Sequence, residues 1–120
     1  MLAKTTHARR TEAIQEQCLS KLKPLGGGDI RVGCSTSHDT KRASKAEGAD
    51  SVMVAYKIGD TAPASTNDGT TKATYSKATF TINCGDENTG KKLFLFTRWF
   101  DTKNPALAGP WSSLNSSGIL

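Results

Sequence analysis

Four stretches of this chain put apolar side chains on every second residue, and that spacing constrains its fold more than any other feature. Ile30, Val32 and Cys34 alternate with Arg31 and Gly33. Val52, Val54, Tyr56 and Ile58 share one parity within residues 51–58, and Ala78, Phe80, Ile82 and Cys84 share one within residues 75–84. Leu93, Leu95, Thr97 and Trp99 form a fourth set, with Phe94, Phe96 and Phe100 on the opposite parity, so this strand is expected to be covered on both sides. Successive side chains of a strand point to opposite faces, so each set marks one face of a sheet. Turn-rich segments separate the runs: 35–50, 60–71 with Asn67-Asp68-Gly69, and 85–92. Fifteen Thr and eleven Ser suit strand faces and loops better than helices. Short alternating strands joined by turns predict a mainly β protein, an antiparallel β-sandwich. With 120 residues and 36% hydrophobic content, the chain can close one core but not two. Its longest apolar runs, 93–96 and 51–56, are far short of a bilayer, so no membrane span is expected.

The first part of the chain reads differently. Residues 1–10 are polar and basic and lack the apolar stretch of a secretory signal. The chain is therefore expected to stay inside the cell or join a larger particle, unless it leaves by a signal-independent route or is processed. Residues 11–23 read as a short helix, with Thr11 as N-cap, acids in the first turn and lysines in the last. Ile14, Cys18, Leu22 and Leu25 then fall on one helical face, until Pro24 and Gly26-Gly27-Gly28 end it. This divides the chain into a basic N-terminal arm, residues 1–27, and a sandwich, residues 28–120. So short a helix is marginal alone and must pack on its own domain or on a neighbouring subunit.

Charge is concentrated in the same region. Residues 1–45 hold nine basic and four acidic side chains, whereas residues 46–120 hold seven of each. A basic arm of this kind can bind a polyanion by releasing counterions, or can simply be solvated. Candidate polyanion contacts are Arg9, Arg10, Lys21, Lys23, Lys41 and Arg42; little aromatic residue is interleaved with them, so such binding would be weak and independent of base sequence.

No motif specifies chemistry. Cys18, Cys34 and Cys84 are odd in number and lack CxxC spacing, and His7 and His38 sit in polar contexts, so neither a zinc site nor any other cofactor is expected. Gly85 to Lys91 fits G-x-x-x-x-G-K, but Lys92 replaces the Ser or Thr that holds magnesium, and a strand-like run follows where a phosphate loop needs a helix N-terminus. Ser35, Ser37, His38 and Asp39 carry the letters of a hydrolase triad, yet a triad is normally assembled from separated elements. Asn115-Ser116-Ser117 matches a glycosylation acceptor that is inert without secretion. Trp99 and Trp111 are expected to anchor the core or cover its edge, or else to offer an aromatic platform to a partner or a glycan.

Leu93 to Asp101, followed after a turn by Gly109-Pro110-Trp111-Ser112, resembles the last two strands of a fibronectin type III domain. Val52 to Lys57 resembles that family's third strand, and Tyr75 to Cys84 the strand before its corner; the resemblance covers roughly residues 28–115. The Arg98-Trp99…Gly109-Pro110-Trp111-Ser112 pattern, with Ala46-Glu47-Gly48-Ala49 upstream, is also similar to small bacterial proteins carrying such a domain at their C-terminus. Three departures stand out: Cys34 takes the place of the family's core tryptophan, Leu93 takes that of its corner tyrosine, and the 85–92 loop is long.

The resemblance and the absence of a convergent polar site together imply a non-catalytic structural or interaction module, not an enzyme. It would bind a protein partner or form a homo-oligomer. The candidate interface is Ile14, Cys18, Leu22, Phe94, Phe96, Phe100 and Trp111; polyanion binding is the alternative, and carbohydrate binding ranks lower. If residues 11–25 leave the Phe94/Phe96/Phe100 side uncovered, that side is an exposed apolar patch and hence an interface.

Overall fold

The computed structural model describes residues 13–36 and 45–120. His7, Arg9, Arg10, Thr11, Ser37, His38, Asp39, Lys41 and Arg42 lie outside the described residues, and with them most of the proposed polyanion contacts.

Among the described residues seven strands run β1 (Leu19–Gly26), β2 (Asp29–Ser35), β3 (Ser51–Gly59), β4 (Thr71–Tyr75), β5 (Thr79–Asn83), β6 (Lys92–Phe100) and β7 (Asn115–Gly118). They form two antiparallel sheets, a three-stranded one in the order β1-β2-β5 and a four-stranded one in the order β4-β3-β6-β7. The alternating sets turn inward as the spacing requires. Ile30, Val32, Cys34, Phe80 and Ile82 from one sheet meet Val52, Val54, Leu93, Leu95 and Trp99 from the other in one core. Trp99 is its largest fully buried side chain. Burying a tryptophan of this kind is worth roughly 4–6 kcal/mol in transfer free energy. Among the described residues no helix is long and apolar enough to cross a membrane.

The helix expected over residues 11–23 does not form over its described part, residues 13–23. From Leu19 the chain is strand β1, paired with β2 from Leu19↔Ser35 to Gly26↔Asp29. Two causes combine. Pro24 cannot donate a helical hydrogen bond but is tolerated on an edge strand, and β1 is an edge. Gly27 and Gly28 have φ of +67° and +86°, as the tight hairpin turns that match strand twist require, so the glycine run closes β1 onto β2. The apolar spacing of four that suggested a helix face is also an even number, so Cys18 and Leu22 share a side along extended backbone, while Ile14 lies beyond a bend at Glu16. All three turn toward the core: Ile14 is 3% exposed, Cys18 is fully buried and Leu22 packs against them. Leu25, assigned to the same stripe, has odd parity and is 43% exposed.

Three other boundaries differ from expectation. The 75–84 run is split, because residues 76–78 bend between the sheets: Tyr75 ends β4, which begins at Thr71 where the turn-rich 60–71 stretch stops, and only Thr79–Asn83 form β5. Gly109–Ser112 is not a regular strand. Pro110 has no amide proton to give, so this segment follows β6 through two separated bonds, Gly109 N–H to Trp99 O (2.9 Å) and Ser112 N–H to Thr97 O (2.7 Å). The last strand is instead the polar Asn115–Gly118, paired with residues 92–95. The 85–92 loop holds a 3-10 turn, Asp86–Asn88, and runs directly into β6, so no helix N-terminus faces its glycines.

Candidate interaction face

The outer surface of the four-stranded sheet is set by the same alternation that builds the core. With Leu93, Leu95, Thr97 and Trp99 turned in, β6 presents Lys92, Phe94, Phe96, Arg98 and Phe100 outward. β3 does likewise: Val52 and Val54 enter the core, so Ser51, Met53, Ala55 and Lys57 face out. The register sets these side by side, with Met53 opposite Arg98, Ala55 opposite Phe96 and Lys57 opposite Phe94. On the other flank of β3, Thr74 is opposite Met53 and Lys72 opposite Ala55. Directly opposed side chains lie about 5 Å apart at Cβ and pack on each other. Ala55 is fully buried and Phe94 is 7% exposed, yet neither belongs to the core between the sheets. Met53, Phe96 and Phe100 are half-buried.

Arg98 and Trp111 close one end of this face. The Arg98 guanidinium carbon lies 4.9 Å from the centre of the Trp111 ring, a cation–π stack, and its Nε donates to the carbonyl of Gly109 at 2.8 Å. Partial burial pulls the Arg98 guanidinium below the usual arginine range. One face of the Trp111 indole is thus occupied by the cation. At the other end the Lys72 ammonium donates to Asn67 Oδ1 at 2.7 Å, and Lys57 reaches toward the turn at Gly69.

Of the interface residues expected from sequence, the structure therefore brings Phe94, Phe96, Phe100 and Trp111 to one surface. Ile14, Cys18 and Leu22 are not on it. They pack inward, and β1, residues 19–26, belongs to the other sheet and does not lie over the phenylalanines. Met53, Ala55, Lys57, Lys72, Lys92 and Arg98 are not among the interface residues expected from sequence. The signal was present in β3, where apolar residues occupy both parities from Val52 to Tyr56, the same pattern that marked β6 as covered on two sides.

The seam between β1 and β7 forms a second concavity, a groove of 320 Å³ lined by residues 17–20 and 112–115. Its backbone is already satisfied by side chains of the opposite sheet. Trp99 Nε1 donates to Gln17 O (3.2 Å), Thr97 Oγ1 to Cys18 O (3.3 Å) and Asn115 Nδ2 to Ser20 O (2.9 Å). Asn115, the residue of the glycosylation pattern, is thus engaged in this strap. Across the opposite seam Tyr75 of β4 and Phe80 of β5 stack at 4.1 Å between centroids. Among the described residues no three His, Cys, Asp or Glu side chains gather as a metal ion would need.

On the outer surface of the other sheet, Lys21 and Lys23 are exposed, and Lys23 is directly opposite Arg31. Like charges in register repel, so this corner is a small basic patch without aromatic side chains.

No family model matches the chain, and no curated protein matches it. Solved structures do. It is similar to the FN1–FN3 domains of chicken CNTN1 at a TM-score of 0.61 and 12% identity, covering 88% of this chain and 31% of that one. It is similar to the third fibronectin III domain of human KIAA0343 protein at 0.61 and 11%, covering 94% and 87%. A structure described as a myokine matches at 0.61 and 6%, covering 88% and 98%. At these identities the likeness concerns the fold, and it agrees with the three-plus-four arrangement of strands. In fold, the chain is a fibronectin type III-like β-sandwich.

Proposed function

We propose that this chain is a non-catalytic protein-interaction module and that it meets its partner through the outer face of the β4-β3-β6-β7 sheet. The fold is commonly an interaction or structural module. One observation carries the choice of face. An antiparallel sheet normally turns its polar side to water, but here Met53, Ala55, Phe94, Phe96 and Phe100 lie together on the side away from the core. Half-buried aromatic and methionine side chains beside an arginine have the composition of an interface centre.

Site-specific photocrosslinking tests this. A photoreactive residue at Phe96 should give discrete adducts in an extract of the source cells, whereas one at Thr81, on the outer face of the other sheet, should not. Equal labelling from both positions, or none from Phe96, overturns the reading. A second reading, weak polyanion binding, has support in the Lys21, Lys23 and Arg31 patch.

A further inference from the structure

We infer that the partner is a different protein that presents an apolar centre flanked by carboxylates, not a second copy of this chain laid face to face. The inference rests on the proposed interaction face and names what that face selects.

Charge on the face is one-sided. The outward positions of its four strands include Lys57, Lys72, Lys92 and Arg98 and not one carboxylate. This is a matter of placement, since residues 46–120 hold seven acids and seven bases. All seven acids, Glu47, Asp50, Asp60, Asp68, Asp86, Glu87 and Asp101, lie outside the strands, while four of the bases are on strands, all on this surface. An apolar surface ringed by cations is complementary to an apolar surface ringed by anions. A two-fold pairing through the same face would set the four cations of one copy against those of the other. Like charges brought together as water leaves are strongly unfavourable, so self-pairing through this face is selected against.

Arg98 is the strongest anchor. Its Nε is committed to Gly109 O and its plane to Trp111, so the guanidinium is held in one orientation. Its terminal N–H groups have no partner among the described residues, and a carboxylate can accept two such bonds side by side. Lys57 lies four residues further along the register, opposite Phe94 where Arg98 is opposite Met53. Four residues of strand span about 13 Å. The complementary segment therefore carries two acidic groups about 13 Å apart with apolar side chains between them, over Ala55 and Phe96. A nucleic acid would supply the anions but needs open ring faces for its bases. Phe94 is 7% exposed and one face of Trp111 is taken by Arg98, so the apolar centre suits aliphatic and aromatic side chains better.

The test is a titration of the full chain followed through backbone amide NMR shifts and Trp111 fluorescence, with Trp99 as the buried reference. Four probes are used: a peptide Ser-Glu-Leu-Phe-Val-Glu-Ser, whose two acids are four residues apart, the same peptide with Lys for Glu, the same with Ser for its apolar residues, and a single-stranded oligothymidine. The acidic apolar peptide should saturate shifts at Met53, Phe96 and Arg98 at a concentration at least tenfold below the other three. Arg98→Gln and Lys57→Gln should each weaken it about tenfold, while sedimentation shows a monomer at low and high salt. Equal binding of the Lys and Glu peptides on this face overturns the acidic partner but leaves the face standing as a contact. Shifts confined to other surfaces bring down the face itself. Tighter binding of the oligothymidine, salt-sensitive dimerisation through Phe96, or no shifts from any peptide also overturns the inference.

Discussion

Among single residues, Gly28 is the most constrained. Its φ is +86°, and a Cβ built there would fall 2.5 Å from the backbone carbon and oxygen of Gly85. Its N–H donates to Leu120 O (3.0 Å) and its carbonyl accepts from Cys84 N–H (2.8 Å), so it ties the β1–β2 turn to the end of β5 and to the C-terminal residue. Gly28→Ala should therefore lose more stability than the roughly 1–3 kcal/mol that left-handed strain costs. Gly26→Ala, at φ +88° with nothing near its Cβ, should lose only the strain. Chemical denaturation of the two variants checks the ordering. The cysteines form a second case. All three are buried and unpaired as disulfides. A hydrogen bond to Cys18, together with burial, holds the Cys34 thiol protonated, and burial followed by the Asp29 charge pushes Cys84 up. The same bond from Cys34, helped by Thr97, pulls the Cys18 thiol down against its burial, but Cys18 is fully buried and out of reach. Because the thiolate is the reactive form, iodoacetamide at neutral pH should leave the folded chain unlabelled, through protonation at Cys34 and Cys84 and through burial at Cys18, and should modify all three residues in denaturant. Asp50 shows the opposite shift. The Thr102 hydroxyl (2.6 Å) and amide (3.0 Å) donate to its carboxylate and hold it below the usual carboxylate range. A carboxyl lowered by folding contributes stability in full above its unfolded value and loses it as pH falls through the lower, folded one. Asp50→Asn should thus be less stable than the parent near neutrality, with the gap shrinking on acidification; thermal melts from pH 7 down to 2 read this directly.

At the level of elements, the edges are what the sequence conceals. β1 reads as a helix because Ile14, Cys18 and Leu22 satisfy both the helical period and the even parity of a strand, and Glu16 interrupts the alternation between them. Pairing with β2 decides the matter, and that is a contact across the hairpin rather than a local preference. β7 is Asn-Ser-Ser-Gly and carries no apolar pattern; it is a strand because β6 offers it a ladder. These two edges are joined by the side-chain strap across their seam. Thr97→Val keeps the shape but removes the hydroxyl that serves Cys18 O, and an unpaired buried carbonyl costs about 1–3 kcal/mol. Asn115→Ala removes the donor to Ser20 O. Both variants should lower stability and speed hydrogen exchange at residues 19–22 relative to β3, measurable by mass spectrometry. The interaction face was half legible for a related reason. The opposite parity of Phe94, Phe96 and Phe100 is visible in the sequence, but their neighbours Met53, Ala55 and Lys57 are fixed only by the β3–β6 register.

For the whole molecule, the two outer surfaces differ in kind: one is polar with a basic corner, the other apolar with a cationic surround. The polyanion reading belongs to the first. If Lys21, Lys23 and Arg31 each neutralise one phosphate, binding of a single-stranded oligonucleotide should fall with salt at a log–log slope of about −2. Lys21→Gln with Lys23→Gln should flatten that slope, and a slope near zero in the parent removes the reading. The two-layered antiparallel architecture and the inward identity of its alternating positions were readable from the residues in order. Parity along a strand follows from backbone geometry alone, so these needed no knowledge of neighbours. Where residues 13–26 pack, which strands form the edges, and that the second apolar side of β6 faces away from the core between the sheets emerge only on folding. Those outcomes depend on which distant segment covers which face, and a repeat along one strand says that a face exists without saying what lies against it.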